Sequence, residues 1–448
     1  LFYLLFLFLL IKINPKYFIY WFIMVTFIEP ILVCYIFKIP NPHTYLFRLG
    51  NIPLKKINEI GLIIMTLAIP LYNRFNFKNY IPINFHKSLS FLKLYIISLL
   101  LFASLQVIIF NNIIAPYVKM IDYLVFPFLI ISIFYFFLNR NDITLLYNYS
   151  YYIMFILFIL FVLEMGIPYY LSSIGLDYSN RLGGYLYFSS NGTAAFLGIF
   201  LLSTLVKMRS NSNIISQLGF IIILILVGLN LMFTYTKAIF FAMILIFIID
   251  IFIKKNITVS NFLILVLSSL FLLTYGTQLL EIATRGSGSE IFSIHPDSSD
   301  TLSFRIYRLW MPTIKYIFSN KIQIFVGTEF RGFNEFLEYV TGLTYANHNI
   351  LIQHFSLWGG IITLILILFW VYLIKGYYSV ITSITNIAYK DVVKYCFYAI
   401  FLFFISINTM STYHITFKIQ IAIIIVYSIR VADLQLLNVS NKCLIQKS

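Results

Sequence analysis

Long apolar runs alternate with short, mostly basic connectors along the chain. The apolar runs occupy 17–37, 89–110, 117–138, 143–166, 185–207, 214–234, 237–253, 259–280, 349–374, 393–411 and 414–430. Each is close to the roughly 20 residues with which a helix crosses the hydrocarbon core. The runs are apolar on every face and lack a period of two, so helices are expected and a barrel is not. Residues 1–13 form a shorter but very apolar run, counted here as a twelfth span. In the run 57–72, only Ile60 to Tyr72 is free of charge, about 13 residues, which falls short of a span. That segment is expected to lie in the interface or dip into it.

Basic connectors set the expected orientation. With 57–72 outside the count, Lys38, Arg48, Lys55, Lys56, Arg74, Lys78 and Lys87 fall in one cytoplasmic stretch, and Arg140, Lys207, Arg209, Lys254, Lys255, Lys375, Lys390, Lys394, Arg430 and Lys442 fall on the same side. The short turn Asn14 to Lys16 then faces outward and both termini are cytoplasmic. The expected fold class is an all-α polytopic integral membrane protein of about 12 transmembrane helices, a single membrane domain over 1–448. Two loops face outward, Ile167–Gly184 and a longer one from Glu281 to Asn347. The second is roughly 67 residues, against 2–8 for an ordinary helix connection. Loops of that kind carry function. Within it Ser303–Phe318, with Phe304, Ile306, Leu309, Trp310, Ile314 and Ile317, has the pattern of an amphipathic helix along the membrane surface. No internal repeat is visible, which leaves an inverted-repeat transporter without support.

Composition agrees with the pattern. Hydrophobic residues make up 61% of 448 positions and charged residues 10%, where a soluble domain carries about 25% charged. Mean hydropathy is +0.91. The net charge of +15 is carried largely by the connectors, so it reflects membrane orientation, and no nucleic-acid partner is expected. Cys34 and Cys396 lie in apolar runs and Cys443 in the tail, which gives neither a disulfide framework nor a metal cluster. The first apolar run has no basic n-region and no small-residue cleavage site, so no cleavable leader is expected.

Cations on the expected outer side are the informative chemistry, because orientation rules deplete them there. Arg181, Lys237, Arg305, Arg308 and Arg331 fall outside or at the outer boundary. Such a set suits an anionic group, and guanidinium forks match phosphate oxygens. The bland alternative for each is a side chain snorkelling to the headgroups. His348, in Ala346-Asn347-His348-Asn349-Ile350, sits where the long loop re-enters the membrane and can serve as a general base. An interfacial, hydrogen-bonded histidine is its alternative. His354 reads as packing or polar glue, and His43, His86, His295 and His414 have no visible constellation. Glu29 and Glu164 are rare intramembrane acids. Tyr169, Tyr170, Tyr178, Tyr185, Tyr339 and Tyr345 suit an interfacial aromatic belt or stacking on sugar rings.

The segment NHNILIQHFSLWGGIITLILI, Asn347 to Ile367, resembles the His-Asn segment and following Gly-containing helix of the bacterial O-antigen polymerase and ligase superfamily. TYTKAIFFAMI, Thr234 to Ile244, is similar to a family segment with a basic residue at the outer end of a helix, with Lys237 where arginine is usual. SFRIYRLWMPTIKYIFSNKIQIFVGTEF, Ser303 to Phe330, resembles the family's Arg-Trp helix before a Gly-containing turn. The resemblance covers roughly residues 180–370 and the general topology. Polymerases of the family can carry an arginine, ten residues and a glycine in two outer loops, and Arg181 to Gly192 and Arg331 to Gly342 both fit.

What this resemblance implies is a metal-independent polymerase at the outer face of the bacterial cytoplasmic (inner) membrane. It would join oligosaccharide repeat units carried on undecaprenyl pyrophosphate, passing the growing glycan to the non-reducing end of an incoming repeat. His348 would be the catalytic base. Arg181, Lys237 and Arg305 would bind pyrophosphate, and Arg308, Arg331 and Asn349 would contact glycan or lipid. No cofactor is implied. The implied partners are the lipid-linked oligosaccharide, the bilayer, a polysaccharide chain-length regulator and a flippase. Two rivals stand beside it: an O-antigen ligase, and a flippase or other transporter of lipid-linked oligosaccharides. The first outer loop, Asn14 to Lys16, lacks the acid that a metal-dependent membrane glycosyltransferase would need.

Overall fold

The computed structural model describes residues 2–31, 48–49, 52–72, 82–111, 114–137, 139–163, 190–210 and 213–233, isolated positions within 236–250, and 305–319, 321–330, 333–342, 349–409 and 415–445. Regular structure there is helical, apart from a two-residue antiparallel pairing of β1 (Arg48–Leu49) with β2 (Ile52–Pro53). The helices are α1 (Phe2–Ile13), α2 (Pro15–Ile31), α3 (Leu54–Tyr72), α4 (Ile83–Phe110), α5 (Ile114–Phe136), α6 (Arg140–Phe161), α7 (Ser190–Ser210) and α8 (Ile214–Phe233). A π-helical turn, Arg305–Trp310, leads into α9 (Met311–Ser319), α10 (Lys321–Val326), α11 (Phe333–Thr341), α12 (Ile350–Ser383), α13 (Ile387–Thr409) and α14 (Ile415–Ile445). Seven helices among the described residues are long and apolar enough to cross a membrane: those of α4, α5, α6, α7, α12, α13 and α14. The chain is an all-α polytopic membrane protein. The expected spans 259–280 and most of 237–253 lie outside the described residues.

Helix α14 is the central element. Its residues 415–432 are all buried, which is why the run Ile421-Ala422-Ile423-Ile424-Ile425-Val426 is apolar all round. Lys418 Nζ donates to Asp122 O at 2.8 Å and Arg430 Nη2 donates to Phe134 O at 3.2 Å, so α14 runs parallel to α5 in constant register. Helix α3 does the same on another side: Lys56 pairs with Asp122, and Thr66 Oγ1 lies 2.6 Å from Ser132 Oγ. Between α12 and α4 the close approach is made by Gly376, where a Cβ would lie 2.8 Å from both Asn84 O and the Phe85 ring. Small residues at such crossings let helices gain dispersion contacts where lipid offers no hydrophobic driving force.

Two findings depart from the expected alternation of spans. The segment 57–72 is not an isolated interfacial stretch. It belongs to a 19-residue helix packed lengthwise on α5. The charges that shorten its apolar run gather in its first turns, where Lys56 bridges Glu59 (2.8 Å) and Asp122. The turn between α1 and α2, expected on the outer side, instead joins the opposite end of the bundle: Lys16 Nζ lies 2.6 Å from Asp142 Oδ2, at the start of α6. At the far end of α1, the Tyr3 hydroxyl donates to Asn58 Oδ1 (2.7 Å) in the first turns of α3. Helices α1, α3 and α5 therefore point one way. The expected placement of Asn14–Lys16 opposite Arg140 fails because Lys16 pairs with a carboxylate beside Arg140.

Cations mark this same end repeatedly. Arg140 Nη2 donates to the Tyr389 hydroxyl (3.1 Å), Arg209 lies 3.4 Å from Asp391, and Lys394 lies 3.1 Å from both Asp250 and Asp391. Lys207 Nζ donates to Asn148 Oδ1. Cysteines introduced at Asn14 and at Asn139 are expected to react with an impermeant maleimide from the same side of oriented vesicles. Labelling from opposite sides would restore the twelve-span alternation.

Candidate functional site

At the other end of the bundle the long loop folds back onto the membrane helices. The π-turn and α9 form one continuous helical segment, 305–319, inside the region expected to be an amphipathic helix. Leu309, Thr313 and Ile317, four residues apart, are its buried stripe, and Met311 and Phe318 remain exposed. Helices α9, α10 and α11 all pack on α12. The Phe318 ring stands 5.7 Å from Phe355, in the first turns of α12. Within the described residues this half of the loop is docked on the helix that follows it.

The docking is possible because two glycines let two backbones touch. Helix α12 breaks at Gly359 (φ 78°, ψ 178°), and α10 ends at Gly327 (φ 85°). Both take positive φ, which glycine adopts without steric cost. A Cβ on Gly359 would lie 2.1 Å from Phe325 O, and one on Gly327 would lie 2.3 Å from Leu357 O. Each chain fills the space where the other's side chain would be. Thr328 N donates to Ser356 O (2.9 Å), fixing the register of the crossing.

Breaking two helices frees carbonyl oxygens that no water reaches. Each left unpaired would cost about 1–3 kcal/mol. Gln106 of α4 answers two of them, its Nε2 donating to Val326 O (2.6 Å) and Leu357 O (2.7 Å). Lys119 of α5, 4% exposed, supplies the rest. Its Nζ donates to Thr328 O (3.1 Å), Leu357 O (3.3 Å) and Phe330 O (3.5 Å), and lies 4.8 Å from the centre of the Trp358 ring. Buried and without a hydrogen-bond partner beside this junction are Gln106 Oε1, Thr328 Oγ1 and Trp358 Nε1.

Beneath the junction lies His354, wholly buried. Its Nδ1 is 3.0 Å from Ile350 O, which only accepts, so Nδ1 carries the proton. Nε2 then accepts from the Tyr95 hydroxyl at 2.6 Å. The Tyr123 ring meets the imidazole edge-on at 4.5 Å and also packs against Trp358. This agrees with the reading of His354 as polar glue, holding the first half of α12 to α4 and α5.

The residues expected at the site are placed as follows. Asn349 is the N-cap of α12, its Oδ1 accepting from Leu351 N and Ile352 N, both at 3.0 Å. Arg305 and Arg308 lie on the π-turn, Arg305 partly buried and Arg308 exposed. His348, Arg181, Lys237 and Arg331 lie outside the described residues, as do Glu164 and the side chain of Glu29. Among the described residues no group of three or more His, Cys, Asp or Glu is arranged to hold a metal ion. Gln106, Lys119, Tyr95 and Tyr123 were not singled out in the sequence. The available signal was Lys119 itself, a cation inside the apolar run 117–138.

No protein-family model matches the chain, and no curated protein matches it.

Gly359→Ala is expected to lower stability in detergent by about 3 kcal/mol or more, since it adds both strain and a backbone clash. Gly219→Ala in α8, where a Cβ meets nothing within 4 Å, should be neutral or stabilising by up to about 1 kcal/mol. Thermal unfolding of the two variants checks the pair. Tyr95→Phe, which leaves His354 Nε2 without its donor, should cost about 1 kcal/mol in the same measurement.

Proposed function

We propose that this chain is a membrane glycosyltransferase of the O-antigen polymerase kind. It joins oligosaccharide repeat units carried on a polyprenyl pyrophosphate at the outer face of a bacterial cytoplasmic membrane. The observation that carries the reading is the docking of loop segment 305–342 onto the first half of α12. The segments that resemble the polymerase family, Ser303–Phe330 and Asn347–Ile367, are the two that meet at the Gly327–Gly359 crossing.

Orientation follows from the cations. Lys16, Arg140, Lys207, Arg209 and Lys394 gather at the end opposite the loop, and cationic connectors favour the cytoplasm. The loop-bearing end is therefore assigned to the outer face. Helix α3 then crosses the membrane alongside α5. With the expected spans outside the described residues the total becomes thirteen, and the start of α1 lies outside.

In the proposed reaction the acceptor sugar hydroxyl attacks the anomeric carbon of the growing glycan. The bond from that carbon to the pyrophosphate oxygen breaks, and the lipid pyrophosphate leaves with the electron pair. His348 takes the hydroxyl proton. Arg305, with Lys237 and Arg181, balances the charge that develops on the leaving group. Asn349 contributes indirectly, because its cap fixes the start of α12. A chain-length regulator and a flippase are the partners that the polymerase resemblance implies.

In cells making the cognate glycan, His348→Ala should reduce polymerisation about a hundredfold or more. Arg305→Ala should also shorten the product, with both proteins inserted at normal levels. Single-repeat products on the carrier lipid are the expected outcome. Wild-type chain length in both variants would remove the catalytic assignment. Full-length polymer that fails to reach its final acceptor would favour a ligase.

A further inference from the structure

One broken helix end and the loop just past another converge on one buried ammonium. Helix α10 ends at Val326, and the first half of α12 ends at Leu357–Trp358, before Gly359. A helix C-terminus carries the equivalent of about half a negative charge on its free carbonyls. Two of them together approach one unit, and the Nζ of Lys119 touches carbonyls from both sides of the crossing: Thr328 O and Phe330 O from the loop, Leu357 O from α12. Among the described residues Lys119 makes no ion pair. Asp122, one turn along α5, is engaged instead by Lys56. The face of Trp358 completes the surroundings of the ammonium. Carbonyls of broken helices that converge in a bundle are the donor set with which membrane proteins hold monovalent cations. Here the cation is covalently attached.

We propose that Lys119 is the positioning residue of the candidate site, a tethered cation that clamps the loop segment 326–330 to the broken end of α12. Gln106 makes neutral bonds to Val326 O and Leu357 O. Lys119 adds a charge that faces Leu357 O at the broken end of α12 and the loop carbonyls just past α10. With the clamp closed, residues 350–358 are held against the loop, and with them the Asn349 cap of α12. The consequence for glycan transfer rests on the function proposed above. The clamp itself does not.

Thr328→Cys supplies a reporter. Thr328 is buried at the crossing and its hydroxyl makes no hydrogen bond, so the exchange removes none. The background carries Ala at Cys34, Cys396 and Cys443. In the full-length protein in detergent, reaction of Cys at 328 with maleimide should be slow while Lys119 is present. It should rise roughly tenfold or more in Lys119→Ala and in Lys119→Met, one decade corresponding to a shift of about 1.4 kcal/mol in the opening equilibrium. Methylammonium should slow labelling again in Lys119→Ala, where there is room for it, and not in Lys119→Met, where the side chain fills the space. Tetramethylammonium, which has charge but no N–H donors, should restore neither.

Unchanged labelling in Lys119→Ala overturns the proposal, as does equal rescue by both ammonium ions. If the Ala and Met variants fail to insert, Lys119→Gln, which keeps N–H donors without the charge, answers the same question. Protection at the wild-type level in that variant also overturns it. Polymer length is read in parallel. A loosened crossing with normal polymer would leave the contact with Lys119 standing but overturn its role as a positioning residue, whereas a tight crossing would refute the clamp whatever the polymer length.

Discussion

The contact between Gly327 and Gly359 makes the rest of the site possible. Without side chains at these two positions, the end of α10 and the break in α12 come together backbone to backbone. That contact creates a liability, because carbonyls at both breaks are shut away from water. Gln106 and Lys119, from two neighbouring helices, pair them. At about 1–3 kcal/mol for each unpaired carbonyl, the crossing would not survive on glycine contacts alone. Sequence permits the approach at two positions, and two polar side chains from elsewhere in the chain make it stable.

Around this crossing α4 and α12 run antiparallel, and α5 is flanked by two helices parallel to it. Helices α3 and α14 both follow α5 in fixed register, through Lys56 and Thr66 on one side and Lys418 and Arg430 on the other. The buried polar groups along α5 are thus matched pair by pair, as membrane interiors require of groups with no water to turn to. His354 extends the same logic into the first half of α12, where Tyr95 satisfies one ring nitrogen and Ile350 O the other. The end of the bundle under the loop is polar and ordered, and its polar groups come from α4, α5, α12 and the loop.

Much of this was legible in the sequence, and the failures share a cause. Hydropathy located α4 to α8 and α12 to α14 because each is apolar over its length. It placed 57–72 in the interface and not along the bundle, since Lys55, Lys56 and Glu59 shorten the apolar run. Those charges are partly offset in the structure, because Lys56 pairs with both Glu59 and Asp122. The side on which the α1–α2 turn lies was misread for a related reason: Lys16 is one cation in a short turn, and its partner Asp142 is 126 residues away. The helical character of 305–318 and the role of His354 followed from local pattern alone. Lys119 and Gln106 did not, because their partners are carbonyls that become free only once two distant helices break at the same place.

The most direct test of the central claim is reconstitution of the purified chain alone in liposomes, with single repeat units on polyprenyl pyrophosphate presented at the loop-bearing face. The account predicts products of two or more repeats on one carrier, with free polyprenyl pyrophosphate released for each bond formed. Repeat units that cross the bilayer unchanged, with no carrier released, would contradict it.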